Sequence, residues 1–273
     1  MKRFLLILAA LSICLCSAAQ IQITTKKEKL SDFPMKTTKV VLTGDEAMDQ
    51  YIKAAMKNIW VLSPFEFCSR DEFNAIKGSQ DYYFMALTKT KHKKEAEANT
   101  VMLDVVKGGT GDQIENMLEV VKFPVCTADS SYHRLDAFLP AIVNLMQNYI
   151  KRGLYSNFSK IKPNALSKVS HKIVFIAADD VTAALNEKIV KDFADDNIVM
   201  TETANADQMF IDGADALISY TIAPLEPQKG SVCYKMLFDA RSYEMYYYTS
   251  HVIKGKKGRG FLKSDIHKIA NSR

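Results

Sequence analysis

The chain has 273 residues, 48% of them hydrophobic and 25% charged, a composition that excludes a wholly disordered or collagen-like chain and allows one large domain or two modest ones. Its 36 basic and 31 acidic side chains leave a formal net charge of +5, too mild a field to imply nucleic acid as a partner.

Residues 1–19, MKRFLLILAALSICLCSAA, place Lys2 and Arg3 before an apolar run and end on Ser17-Ala18-Ala19. This pattern reads as a secretory signal peptide cleaved before Gln20. The run is shorter than the roughly 20 apolar residues a membrane span needs, and no later stretch qualifies, so no transmembrane segment is expected. A lipoprotein is the rival reading, but Ile13 before Cys14 and Leu15 before Cys16 stand where lipid attachment wants small residues. Without the signal, Cys68, Cys126 and Cys233 remain. They make no disulfide scaffold and have no metal-ligand spacing; one bridge with a free thiol and three buried thiols are both open.

Residues 20–36 read as an extended lead-in in which Pro34 forbids a helix. The first lobe, 37–153, opens with a β-branched strand at 39–43 and a turn at Gly44-Asp45. A helix at 46–58 follows, with Met48, Ile52, Ala55, Met56 and Ile59 recurring at three- and four-residue spacing on one face. A second strand is expected at 59–62, holding Trp60, and a short helix from Ser69 carries Phe73 and Ile76 to a stop at Gly78. Strands YYFMALTKT and TVMLDVVK pair antiparallel across the lysine-rich connection 92–99. Helices at 112–122 and 135–151 complete the lobe, the second with Phe138, Ile142, Leu145, Met146 and Tyr149 on one face and Gly153 at its end. Residues 154–165 read as a linker. The second lobe, 166–273, has a strand at 172–177, a helix at 181–193, a strand at 198–201, a short helix at 206–211 and a strand at 214–223. After the turn LEPQKG come strands SVCYKMLFDA and SYEMYYYTSHVI, and a short helix from Phe261.

The stretch at 39–67 returns in looser form at 171–202. Each copy runs from an apolar strand through an acidic turn and a helical period to a second apolar run after an Asn-Ile pair, Asn58-Ile59 and Asn197-Ile198. The fold expected is therefore α/β, with two repeated β-α-β-α-β-β units of mixed sheet joined by helices.

Acidic residues mark the strand ends. Asp179-Asp180 follows a strand as the metal-binding corner of a phosphoacceptor domain would, with Asp45-Glu46 at the matching place; helix capping explains such pairs more simply. Asp179 and Asp180 are the metal candidates, and Asp212 and Asp215 in IDGAD are weaker ones. The loop KGGTGD at 107–112 could cradle a phosphate but lacks the GxxxxGK[ST] spacing. Ser130, Ser131 and His133 lie close together without a nucleophile elbow. The other histidines, His92, His171, His251 and His267, are scattered. No catalytic residue and no cofactor is expected. Tyr243, Tyr246, Tyr247 and Tyr248 are read as one strand of a sheet covered on both faces rather than as a stacking platform. Asn157-Phe158-Ser159 matches a glycosylation sequon. The segment KGKKGRGFLKSDIHK at 254–268 holds Lys254, Lys256, Lys257, Arg259, Lys263 and Lys268 against Asp265. Its glycines are expected to keep it mobile, with Phe261 and Leu262 as an apolar anchor, so that Lys254, Lys256, Lys257, Arg259 and Phe261 could meet an acidic protein face or an anionic surface.

The stretch ADQMFIDGADALISYTI resembles the Gly-Ala-Asp-Ala-Leu-then-strand signature of the TolB N-terminal and CsgG-like α/β domains of bacterial envelopes. DNIVMTE looks like their second strand, and NIWVLSPFEF is similar in the first copy. The resemblance covers about half of each unit. It implies an exported, non-catalytic protein, periplasmic or associated with the outer envelope, that binds other envelope proteins or itself. A periplasmic hydrolase, or a small-ligand or metal-binding protein using the acidic strand ends, is the alternative.

Overall fold

A β-branched strand, a helix capped by an aspartate and a second parallel strand begin the first lobe. The computed structural model describes residues 30–129, 134–155, 161–183, 185, 190–193, 197–255 and 257–273; the expected signal peptide, Ser130, Ser131, His133 and Asn157 lie outside them. Strand β1 (Thr37–Val41) leads to α1 (Glu46–Ile59), where Asp45 accepts a hydrogen bond from the Met48 amide at 2.9 Å. Met48, Ile52, Ala55 and Met56 are buried on the face the periodicity predicts. The run 59–62 is not a strand: Ile59 is still helical, and Trp60 ends the helix with its amide on Met56 O and its indole N–H on Ser63 Oγ. Strand β2 (Phe65–Cys68) starts only after Ser63-Pro64. In α2 (Arg70–Ile76), Ser69 and Glu72 form a reciprocal capping box.

Strands β3 (Tyr82–Thr90) and β4 (Thr100–Lys107) pair antiparallel as expected. The helix expected at 112–122 is replaced by a single 3-10 turn, Ile114–Asn116, and by strand β5 (Leu118–Thr127). Val120, Val121 and Val125 favour a strand, and β4 would otherwise present an open ladder edge. Pro124 is tolerated because β5 is the sheet's outer strand and the register shifts beside it. Pro34 likewise falls in the first turn of a 3-10 helix, Phe33–Met35, where a missing amide and a fixed φ are harmless. Leu30 and Phe33 are core residues, so the end of the lead-in belongs to the first lobe and is not simply extended.

The second lobe repeats this plan with β6 (Ile173–Ala177), β7 (Ile198–Thr201), α4 (Thr203–Ile211), β8 (Ala216–Ile222), β9 (Val232–Asp239), β10 (Met245–Val252) and α5 (Lys263–Ala270). The helix expected from 181 does not begin there: Val181 is extended and bridges to Phe261, and helical backbone is described only at Val190 and Lys191, residues 184 and 186–189 lying outside the described residues. The two sheets have the orders β2-β1-β3-β4-β5 and β7-β6-β8-β9-β10. In each, the strand that opens the repeat lies between two parallel neighbours, and the later strands are antiparallel. The repeat is real and holds five strands, one more than the motif expected. Tyr243 is not in β10: it stands in the turn before it with a left-handed φ of 58°.

Helix α3 (Leu135–Tyr155) has 21 residues and runs past both 151 and Gly153, which is buried inside it. It packs on α1 and β5 of the first lobe and on α4 of the second. Phe138 stacks on Tyr220 and on Phe210, each at 4.3 Å between ring centroids. From the other end of the helix, Gln147 bonds the Val61 amide and the Ile59 carbonyl. One apolar core therefore runs from Met48 and Val121 through α3 to Ile218 and Phe238. Smaller clusters fill the outer faces, one under α2 and one under α5. Cys68, Cys126 and Cys233 are buried and in no disulfide, and burial pushes the Cys68 thiol up to about 11.

Candidate functional site

Open α/β sheets bind ligands outside the C-terminal ends of their parallel strands, so the ends of β6 and β8 are where a site would stand. Asp179 and Asp180 lie there in the 3-10 turn Ala178–Asp180, but not as a pair. Asp179 is exposed and Asp180 is 2% exposed. The oxygens of Asp180 are occupied. Arg134 Nη1 reaches Oδ1 at 2.8 Å, the Thr221 amide donates to Oδ1 at 3.0 Å, and the Ser219 hydroxyl donates to Oδ2. Arg134 also bonds Asp207 through Nε at 2.8 Å and the Ser219 carbonyl at 3.1 Å, and its guanidinium lies over the Phe138 and Tyr220 rings. Burial works to lower the Arg134 pKa; Asp180 and Asp207 outweigh it and hold the group well above its ordinary value. This is a closed ion-pair network between the lobes.

At the matching end of the first sheet, Asp45 caps α1. Asp49, one turn on and 8% exposed, accepts from the Thr43 amide and hydroxyl at 2.7 Å and from the Gly44 amide at 3.1 Å. Each lobe thus has a buried carboxylate that ties down the loop at its strand ends. Asp212 accepts from the Gln208 side chain, and Asp215 pairs with Lys172 at 2.8 Å. Among the described residues no group of three His, Cys, Asp or Glu side chains is placed to hold a metal.

The KGGTGD loop is packed rather than open. Gly108 and Gly109 donate to the carbonyls of Tyr82 and Lys77. A side chain at Gly108 would meet the Ser79 carbonyl at 2.3 Å. Those two amides are not available to a phosphate.

The basic C-terminal segment is separated into two parts. Lys254 and Lys257 exchange backbone hydrogen bonds of 3.0 Å in a tight turn around Gly255, φ 53°, and both side chains are exposed. Lys256 lies outside the described residues. Arg259 is half-buried. Phe261 is not an outward anchor: it is 0% exposed, donates its amide to the Asp180 carbonyl at 2.6 Å, accepts from the Thr182 amide and packs on Tyr247. Nor does Gly260 loosen the chain. Its φ of 93° and the Asp180 carbonyl 2.4 Å from where a Cβ would stand fix it in place. Behind it Lys235, 1% exposed, pairs with Asp265, which also accepts from Tyr247 and the Leu262 amide.

Arg134 belongs to none of the sequence motifs. One signal pointed to it: a cation directly before a long apolar helix opposes the helix dipole and so calls for a specific acidic partner. Compared with protein-family models, curated proteins and solved structures, the chain has no match.

Proposed function

We propose that the protein is an exported, non-catalytic component of a bacterial cell envelope, periplasmic or associated with the outer envelope, acting through contacts with other envelope proteins or with its own copies. The observation that carries this reading is that the sheet ends where an α/β fold would do chemistry are occupied in both lobes, by Asp49 with its own loop and by Asp180 with Arg134. The signal-like residues 1–19 and the TolB-like and CsgG-like stretches support export and envelope association. The exposed Lys254 and Lys257 supply a cationic turn for an acidic face or an anionic surface.

In the test, mature protein beginning at Gln20 is crosslinked in cells and its partners are identified, alongside Lys254→Ser/Lys257→Ser. A recurrent envelope partner, or the protein itself, is expected, with the double variant weakening a salt-sensitive part of the contact. Calorimetric titration with Mg²⁺, Mn²⁺ and Zn²⁺ probes the metal alternative. Binding abolished by Asp179→Asn, an exposed site whose change leaves the Arg134 network intact, would sink the non-catalytic reading.

A further inference from the structure

Three loops that lie far apart in the sequence meet at one end of the molecule, and each carries exposed lysines. The β3–β4 hairpin of the first lobe turns through Lys93 and Lys94, the β8–β9 loop of the second lobe holds Lys229, and the turn after β10 holds Lys254 and Lys257. Close backbone contacts join them. Gly230, with a φ of 97°, takes the hairpin directly against its Cα: a Cβ there would stand 2.6 Å from the Lys93 carbonyl. Lys94 meets it with a left-handed φ of 81°, a conformation few lysines adopt. The Ala96 amide bonds Gln228 Oε1 at 3.1 Å, and His92 Nε2 lies 3.2 Å from the Tyr234 hydroxyl. From the same β8–β9 loop, the Ser231 carbonyl accepts the Ile253 amide at 2.8 Å, which sets the Lys254 turn beside it.

The charges gathered there are not neutralised. Among the described residues none of these lysines forms an ion pair. The exposed acids of the same loops are Glu97 and Glu226, and Asp129 beside them gives its carboxylate to the amides of Leu225 and Glu226. Like charges held together in this way repel one another in the free protein and are relieved by an anionic partner. Apolar side chains stand among them: Leu225 in the β8–β9 loop is 51% exposed, and Val252, opposite Val232 at the end of β10, is 43% exposed.

We propose that this end of the molecule, built from both lobes, docks on a bilayer surface that contains anionic phospholipids. The proposal goes beyond protein contacts and shares with that reading only the Lys254–Lys257 turn. Lysine is the cation throughout. It is a point charge on a flexible stem, which suits a fluid array of phosphates with no fixed positions, whereas an acidic protein face is read best by the planar fork of arginine. Basic residues beside exposed aliphatic ones are also the pairing that holds a protein to a membrane interface, the lysines at the phosphates and the aliphatic groups between headgroups.

The experiment is flotation of the whole mature protein with vesicles of phosphatidylcholine alone, or with phosphatidylglycerol replacing part of it, at low and moderate salt. Wild type is expected to float with the anionic vesicles only, and less as salt rises. Lys93→Ser/Lys94→Asn, in which asparagine tolerates the left-handed backbone, should lower binding about thirtyfold for its two lost charges, with an unchanged Tm as the check on folding. Leu225→Ser should lower vesicle binding about fivefold and leave binding to soluble polyglutamate as it was. Lys57→Gln/Lys151→Gln removes the same charge from exposed positions on α1 and α3 and should float as wild type does. Wild type that ignores phosphatidylglycerol, a hairpin variant that floats equally well, or a control pair that loses as much as the hairpin pair overturns the proposal. So does polyglutamate binding without vesicle binding, which makes the surface one for acidic proteins. If flotation fails while a crosslinked envelope partner persists, this proposal falls and the contact reading stands; if flotation depends on the hairpin and no partner recurs, the reverse holds.

Discussion

In the first lobe the buried carboxylate at the sheet end, Asp49, is satisfied within a few residues, by Thr43 and Gly44. In the second lobe Asp180 is satisfied by Arg134, which precedes α3, and the same guanidinium holds Asp207. The sheet orders are the same and the bonding strategies are not. A carboxylate closed by its own loop makes that lobe self-sufficient. One closed from outside makes the second lobe's sheet end depend on the first.

The largest effect should follow from breaking the borrowed contact. Arg134→Met leaves the buried Asp180 and the half-buried Asp207 without their cation, a change worth about 4 kcal/mol. Calorimetry is expected to show the second lobe melting first, and a melt as cooperative as wild type at nearly the same temperature would end the idea of dependence. Phe138→Ala attacks the same junction through packing. Losing the stacks on Phe210 and Tyr220 should destabilise by about 3 kcal/mol, read as a lower urea midpoint. By contrast, Asp49→Ala should act within the first lobe alone. It removes three hydrogen bonds to one carboxylate, for about 2 kcal/mol. Hydrogen exchange should quicken at the Thr43 and Gly44 amides while those of β8 and β9 hold, and equal quickening in both lobes would contradict the contrast.

The smallest effect has the opposite sign. Burial, with Asp104 nearby, pushes Glu119 on β5 up to about 7 from its ordinary 4.5. The folded state therefore holds a proton that the unfolded state releases. The stabilisation is complete below the unfolded value and is lost as pH rises through about 7. Glu119→Gln should be more stable than wild type at pH 8, by on the order of 1 kcal/mol once solvent screening is allowed for. Near pH 4 the two should match. Urea midpoints at the two pH values decide it, and a variant that gains nothing at pH 8 removes the buried-acid account.

The repeat was legible because both copies keep the order of strand, acidic turn and helix, and the two sheets have the same strand order. In β5 two signals compete: Ile114, Met117, Leu118 and Val121 recur at helical spacing, while the preference of Val120, Val121 and Val125 for a strand points the other way. Tertiary pairing with β4 decided between them. The Ile59–Leu62 run reads as a strand because short apolar runs carry no period of their own; the Trp60 amide on Met56 O shows that it closes a helix. Phe261 reads as an exposed anchor because glycines and lysines surround it, yet Gly260, whose backbone passes against Asp180, lets it enter the core. The Arg134 network could not be read locally, since its partners lie 46 to 85 residues away.

That separation bears on how the chain reaches its final form. Read from the N-terminal end, the first lobe can close on α3 as soon as α1 and β5 are present. The aromatic face of α3 cannot. Phe138 waits for Phe210, Tyr220 and Phe238, all of which come later in the chain, and Arg134 waits for Asp180 and Asp207 beside them. During vectorial synthesis or translocation the early half thus carries an unfilled apolar and cationic surface of its own making, to which the emerging second half is the intended ligand. Any holding factor that protects the nascent protein would be expected to engage that face and to be displaced from it when β8 arrives.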